Sequence, residues 1–198
     1  TASAEDARDS AANGEATETA LLANTRQLTF EGRRAGEGYF NADGTRMVFQ
    51  SERDAGNPFY QIFVMDLETG DVERVSPGIG KTTCAWLHPT EERVLYASTH
   101  DDPAAREKMQ AELDFRASGQ SRRYSWDYDE QYDIFTQDLT TGERINLTNT
   151  LGYDAEGAYS PDGKQIVFAS NRRAFTADVT AVEKKLFEHD KSYLMDLY

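Results

Sequence analysis

Three short phrases recur in a fixed order along this chain, and this repetition restricts the fold more than any other feature. The first phrase, a polar turn followed by a β-branched run, occupies residues 41–49, 88–96 and 160–168. The second, an apolar run closed by Asp-Leu, occupies residues 63–70, 135–142 and 193–197. The third occupies residues 26–29, 73–76 and 144–148. Units this short cannot bury their own apolar faces, so neighbouring copies must stack to form a core.

Each repeat has the sequence of a small antiparallel sheet. Asp43-Gly44 and Asp162-Gly163 are hairpin dipeptides, because Gly accepts a positive φ and Asp accepts hydrogen bonds from its own backbone. The second copy carries Thr90 where Asp-Gly is expected, so its turn must be of another type. The apolar run after each turn is typical of a strand buried on both faces. Four short strands per repeat, joined as a meander, predict the blade of a β-propeller.

Two of these strings resemble a known family. Residues 160–172 and 62–70 are similar to the WD-like repeat of TolB-type proteins, the latter to its third strand. The resemblance covers roughly residues 26–198 and implies an all-β fold of about three four-stranded blades, part of a six-bladed ring. It also implies a bacterial periplasmic or extracellular address. A propeller is a scaffold that hosts many activities, so the resemblance is specific for fold and weak for function.

The repeat count does not complete a ring. The chain opens with an outer-strand phrase and stops within a third-strand phrase, which predicts twelve strands offset by one. Propellers typically have four to eight blades, and three cannot easily close. We expect the N-terminal part of a longer protein. The alternative is a homodimer in which two halves complete six blades through open edge strands.

Composition excludes several classes of partner. The 198 residues include 35 acidic and 21 basic side chains, for a net charge of −14. This charge argues against nucleic acid and against an anionic membrane surface. No segment is long and apolar enough to insert into a membrane. The single cysteine, Cys84, allows no internal disulfide and is predicted to be a core thiol.

The first 25 residues differ from the rest. They are rich in Ala, Ser, Thr, Glu, Asp and Gly and show no hydrophobic periodicity. Such a segment is predicted to be disordered or linker-like, as at the start of a mature exported protein or after a lipid anchor. The propeller is therefore assigned to residues 26–198.

Two insertions interrupt the repeat between the second and third strands of a blade. The first lies near residues 102–119, where Asp102-Pro103 predicts a helix start and Gly119 a helix end. The second lies near residues 176–189, where residues 180–183 have capping-box spacing. Equivalent links emerge on the same rim, so two helices are expected side by side. Insertions in repeats often mark a binding face, but these helices could equally cover apolar blade surface.

An aromatic and charged segment follows the first insertion. Residues 122–132 combine arginines, Trp126 and several tyrosines with alternating acids, a composition found in interface hot spots. Tyr132 leads directly into a strand and is predicted to lie in the core. We expect Arg122, Arg123, Trp126 and Tyr128 to contact a partner.

No catalytic, cofactor or metal site is predicted. Residues 78–83 resemble the end of a phosphate-binding loop, but Val75 stands where its first Gly is required and no helix follows. The acidic cluster in residues 127–133 lacks the Gly-turned spacing of a calcium loop, so a calcium ion there is not favoured. The three histidines have no metal-ligand spacing, and there is no Gly-x-Ser-x-Gly elbow.

Three functions remain open from the sequence. The first is a non-enzymatic propeller that binds a protein or peptide in the cell envelope, as the resemblance implies. The second is the propeller of a larger peptidase or hydrolase that gates or recruits substrate. The third is a structural half-propeller that assembles through its open edges. Residues beyond the C-terminus distinguish the first two, and concentration-dependent mass identifies the third.

Overall fold

A computed structural model describes residues 21–123 and 126–198. The chain divides into two compact units, residues 1–30 and residues 31–198. The described part of the first unit, residues 21–30, contains no β-strand and is largely exposed. The prediction for residues 1–25 falls mostly on residues 1–20, which lie outside the described part of the chain.

The second unit contains three antiparallel sheets, each a blade of the predicted kind. The first blade consists of β1 (Arg34–Phe40), β2 (Arg46–Glu52), β3 (Gln61–Asp66) and β4 (Val72–Arg74). The second blade consists of β5 (Thr82–Leu87), β6 (Arg93–Ser98), β7 (Asp133–Asp138) and β8 (Arg144–Asn146). The third blade consists of β9 (Asp154–Tyr159), β10 (Ile166–Ser170) and β11 (Asp196–Leu197). The predicted all-β architecture of propeller blades is confirmed.

The strand count differs from the prediction of twelve. Eleven strands occur in the described residues, because residues 26–29 form none. An outer strand exists only where a third strand lies beside it to complete the hydrogen-bond ladder, and phrase similarity alone does not supply that partner. The third blade also has a shorter last strand than expected. Tyr193 and Leu194 lie in a turn, Asp196 and Leu197 pair with β10, and Tyr198 exchanges two backbone hydrogen bonds with Phe168 of β10.

The turns that open the second strands confirm the turn chemistry read from the sequence. In the first blade the Asp43 carboxylate accepts a hydrogen bond from the Thr45 backbone at 2.9 Å. In the second blade His88 takes this role, since its Nδ1 accepts the backbone N–H groups of Thr90 at 3.2 Å and Glu91 at 3.0 Å. Nε2 of His88 then carries the proton and donates to the Gly163 carbonyl, 3.2 Å away in the third blade.

The apolar core lies between the blades. One cluster joins the first and second blades and includes Val48, Ile62 and Tyr96, all fully buried. A second cluster joins the second and third blades and includes Leu95 and Ile134. Each blade is therefore stabilised by its neighbour, as the short repeats require.

The first strand of each blade, here called the innermost strand (β1, β5 and β9), contains an irregularity that the sequence does not predict. The register of β1 and β5 shifts against the next strand, and β10 shifts against β9. At the equivalent position of each innermost strand a non-glycine residue has a positive φ: Glu37 at 50°, Cys84 at 48° and Glu156 at 58°. Such bulges bend a strand and redirect its side chains.

The insertions contain helices α1 (Ala105–Ala117), α2 (Arg173–Thr176) and α3 (Ala181–His189). Helix α3 begins with the capping box indicated by its sequence, in which the Thr180 hydroxyl accepts from the Glu183 backbone and the Glu183 carboxylate accepts from the Thr180 backbone. The buried side of α3 is Phe187, which packs on Phe175, whereas Val182 and Leu186 are exposed. Helix α3 therefore packs on its own insertion.

We predict that equivalent valines in two blades differ in their contribution to stability. Val48 and Val167 occupy the same repeat position, but Val48 is fully buried and Val167 is 47% exposed. Val48→Ala should lower the free energy of unfolding by about 2–3 kcal/mol, since it removes two buried methyl groups and leaves a cavity. Val167→Ala should cost less than about 0.5 kcal/mol. Urea denaturation of both variants measures the difference, and equal losses would contradict this packing.

Candidate functional site

The rim that carries the helical insertions holds the candidate site. Both insertions leave from the end of a second strand, so they emerge on the same side of the blades. Helix α1 starts later than predicted, with Ala104 and not Asp102 as its N-cap residue. The Asp102 carboxylate instead accepts the Ala104 backbone N–H at 2.9 Å and pairs with Lys108 at 2.7 Å. The predicted helix end is observed, with Gly119 at a φ of 71° just beyond α1.

Helix α1 contacts the first blade through polar groups and also buries two apolar side chains, Ala105 and Met109. Arg116 pairs with Glu52, at the end of β2, and donates to the Pro58 carbonyl at 2.8 Å. Glu112 and Arg116, four residues apart on α1, form an ion pair at 2.7 Å. Glu52 and Glu112 are both buried, so the helix is positioned by paired charges that have little contact with water.

Glu112 also anchors the segment that follows α1. Its carboxylate accepts a hydrogen bond from Arg122 at 2.5 Å, and the Arg122 guanidinium lies 4.6 Å from the Phe115 ring centroid. Burial raises the pKa of Glu112, but the hydrogen bonds from Arg116 and Arg122 outweigh it and hold the pKa below its ordinary value. The carboxylate therefore stays ionised between its two arginines.

Asp129 fixes the aromatic segment to the rim. This buried carboxylate accepts from the Lys108 ammonium at 2.8 Å and lies 3.6 Å from the Lys81 ammonium. Lys81 also donates to the Tyr128 carbonyl at 3.3 Å and lies over the Phe59 ring. The second blade and α1 thus hold residues 126–130 from two sides.

Four aromatic rings stack beside this anchor. Trp126 packs edge-on against Tyr153, with ring centroids 4.6 Å apart, and lies 5.3 Å from Tyr128. Tyr132 and Tyr153 are buried, and desolvation raises the pKa of both phenols. Trp126 remains 40% exposed. The cluster therefore presents one ring to solvent on a base of buried rings, and the core assignment of Tyr132 is confirmed.

Three adjoining cavities open along this rim. The first, of 610 Å³, is bordered by arginines and by Phe59 and Phe115. The second, of 640 Å³, is bordered by Phe59, Phe115 and the Trp126–Tyr128 pair. The third, of 180 Å³, leads to the innermost strands and is lined by Glu37, Cys84 and Glu156. All three share Phe59 and Asp127, so they form one continuous concave surface, here called the rim groove.

The rim groove brings together the four residues that the sequence indicated. Arg122 and Arg123 border the first cavity, and Trp126 and Tyr128 border the second. Sequence reasoning missed Phe59 and the Arg33–Arg34 pair. The pair could have been found from the repeat, because the start of an innermost strand lies at the same rim as the end of the second strand.

The structure also locates the single cysteine, the segment that resembles a phosphate-binding loop and the acidic cluster. Cys84 is in an inner strand as expected, but it lines the small cavity and not the apolar core, and burial raises the pKa of its thiol to about 11. Residues 78–81 lie in the connection between the first and second blades, and Thr82 and Thr83 begin β5. In the acidic cluster, Asp129 pairs with lysines while Asp133 accepts from Asn146 and Thr148.

Within residues 21–123 and 126–198, no three His, Cys, Asp or Glu side chains are arranged to hold a metal ion. No helix in these ranges has the length and apolarity needed to cross a membrane.

Comparison with known proteins supports the fold. No protein-family model matches the sequence. The structure is similar to TolB from Acinetobacter baumannii, with 20% identity, a TM-score of 0.47 and coverage of 70% of this chain and 27% of that one. It is also similar to a protein assigned as TolB in Agrobacterium tumefaciens, with 19% identity, a TM-score of 0.50 and coverage of 73% and 41%. A structure from a study of two prolyl endopeptidases matches with 15% identity, a TM-score of 0.41 and coverage of 69% and 18%.

The similarity to the Agrobacterium tumefaciens structure, at a TM-score of 0.50, shows the propeller fold and no activity. The resemblance of the repeats to TolB-type blades is confirmed in three dimensions. The chain spans less than half the length of either TolB structure, 27% and 41% respectively.

We predict that Asp129→Asn loosens the aromatic segment. The change removes the charge that two lysines share and should lower the free energy of unfolding by roughly 2 kcal/mol, less than for a fully buried pair because Lys108 is partly exposed. Trp126 fluorescence should shift to longer wavelength as its ring gains solvent. Asp127→Asn is the matched control, since Asp127 is exposed and 3.5 Å from Lys81. Indistinguishable spectra for the two variants would contradict the anchoring role.

We also predict an acid-dependent loss of stability that arises at Glu112. Its pKa is lower in the folded chain than in the unfolded chain. Its stabilising contribution is therefore complete above the ordinary pKa of about 4.3 and is lost as the pH falls through the folded value. Glu112→Gln should flatten the decline in the free energy of unfolding below about pH 4.3. Glu107→Gln, at an exposed site on the same helix, is the control, and equal slopes for Glu112→Gln and the unmodified chain would refute the assignment.

Proposed function

We propose that this chain is a propeller that binds a protein or peptide and holds it in the rim groove, without enzymatic activity or a cofactor. The observation that supports this function is the convergence of Trp126, Tyr128, Arg122 and Arg123 on one concave surface. Exposed aromatic and arginine side chains in a pocket are the usual anchors of protein interfaces.

The rigidity of the groove also favours binding. Trp126 rests on the buried ring of Tyr153, and the neighbouring Asp129 is held by two lysines. A partner would therefore meet side chains that are already ordered, which reduces the entropy lost on binding. Loops held by a stable scaffold are a common place for recognition.

The proposed setting is the bacterial cell envelope, in the periplasm or outside the cell. This part of the proposal rests on the TolB-type resemblance of the repeats. A homodimer that completes a ring is a separate expectation, and light scattering over a range of concentrations measures it directly.

The binding function predicts a hot spot at Trp126. Peptides selected from a displayed library against the immobilised chain should lose affinity by about tenfold or more in Trp126→Ala. Phe40→Ala is the control, because Phe40 is 62% exposed at the opposite end of β1 and lies on the other rim. Fluorescence anisotropy with labelled peptides gives the affinities.

Two results would refute this function. One is a library that yields no binder to a chain that melts cooperatively. The other is a set of binders whose affinity is unchanged by Trp126→Ala and by Tyr128→Ala.

A further inference from the structure

Positive charge is concentrated at one end of the rim groove. The chain as a whole has a net charge of −14. Five arginines nevertheless border the first cavity: Arg33, Arg34, Arg116, Arg122 and Arg123. This concentration runs against the composition of the chain, so it requires a local explanation.

Ion pairs within the protein account for only part of this charge. The Glu52 carboxylate forms ion pairs with Arg33 at 3.6 Å, with Arg34 at 2.8 Å and with Arg116. The Glu112 carboxylate forms ion pairs with Arg116 at 2.7 Å and with Arg122 at 2.5 Å. Five guanidinium groups thus share two carboxylates, and three positive charges are left over.

The third carboxylate at the cavity lowers this surplus from three charges to two. Asp127 lies 3.5 Å from Lys81, but Lys81 and Lys108 together face three carboxylates, those of Asp102, Asp127 and Asp129. Arg123 is exposed and makes no ion pair with any residue in the described ranges. Arg33 has a side chain that is 66% exposed and is only loosely paired. The unbalanced charge therefore resides on side chains that a ligand can reach.

We propose that the rim groove recognises an acidic peptide segment, in which carboxylates bind the arginines and an adjacent aromatic or apolar side chain packs beside Trp126. This inference rests on the proposed peptide-binding function and names the chemistry of its ligand. Guanidinium groups bind carboxylates through two parallel hydrogen bonds, which makes arginine suited to this task.

The dimensions and neighbours of the groove favour this ligand. A cavity of 610 Å³ admits a few side chains, and the adjoining 640 Å³ cavity offers Phe59, Phe115 and Trp126 to an apolar neighbour. A short segment is favoured over a long polyanion, because the acidic surface outside the groove would repel the remainder of a long chain.

The test compares two labelled peptides on the full chain by fluorescence anisotropy. One peptide carries four glutamates and one tryptophan, and its counterpart carries glutamines in place of the glutamates. The acidic peptide should bind about tenfold more tightly or better. The Arg33→Gln/Arg123→Gln double variant should remove most of that advantage while leaving the glutamine peptide unaffected.

A matched control separates a local site from general charge. Lys184→Gln/Lys185→Gln changes the net charge by the same amount at exposed positions of α3. Thermal melts of both double variants check that the fold is retained. Equal weakening by the two double variants would overturn the inference, because it would show only long-range electrostatics.

The remaining outcomes distinguish this inference from the proposed function. If both peptides bind equally and both depend on Trp126, the acidic preference is wrong and peptide binding stands. If neither peptide binds but the library yields Trp126-dependent binders of other composition, the acidic preference is again wrong. An oligouronide is an acidic saccharide whose carboxylates could pair with the same arginines. If it displaces the acidic peptide at lower concentration than unlabelled peptide does, the ligand is a saccharide and the inference is overturned.

Discussion

Burial of sheet faces between blades is the interaction on which the rest of this structure depends. A four-stranded blade of this size is mostly surface, and its second strand is apolar on both sides. Val48 and Leu95 are removed from water only because another blade lies against them. The stacked blades then provide a fixed frame, so the links between strands can vary in length without loss of the core.

The rim groove is formed largely by these variable links. Its walls come from the start of β1, the link after β2 and the long insertion after β6, three segments far apart in the chain. Packing inside the blades is apolar, whereas the groove is held by carboxylates shared among arginines and lysines. Glu52, Glu112 and Asp129 each form ion pairs with at least two cations, and each is shielded from water. The chemistry of the site is thus separate from the chemistry that folds the blades.

The features that sequence patterns predicted correctly are those formed by residues close together in the chain. Turn dipeptides and apolar runs located β2, β3, β6, β7 and β10, and the capping spacing located α3. The strand expected at residues 26–29 was wrong, because a strand is defined by its neighbour as well as by its own residues. The four aromatic and arginine residues of the rim could be selected because they lie close together in the chain.

The remaining features depend on pairs distant in sequence. Glu52 and Arg116 are separated by 64 positions, and no repeat phrase contains either residue. The positive φ values at Glu37, Cys84 and Glu156 were also invisible, since none of these residues is glycine. Their equivalence lies in the three-dimensional positions of the three blades.

The polar attachment of α1 has a consequence for divergence among related chains. A helix packed through a large apolar face can change only if its neighbours change in volume at the same time. Helix α1 buries only two apolar side chains, Ala105 and Met109, so exchange of one acid or one base can change its orientation at a moderate cost in stability. The peptide preference proposed for this rim can therefore change in single steps, on a scaffold whose apolar interior stays the same.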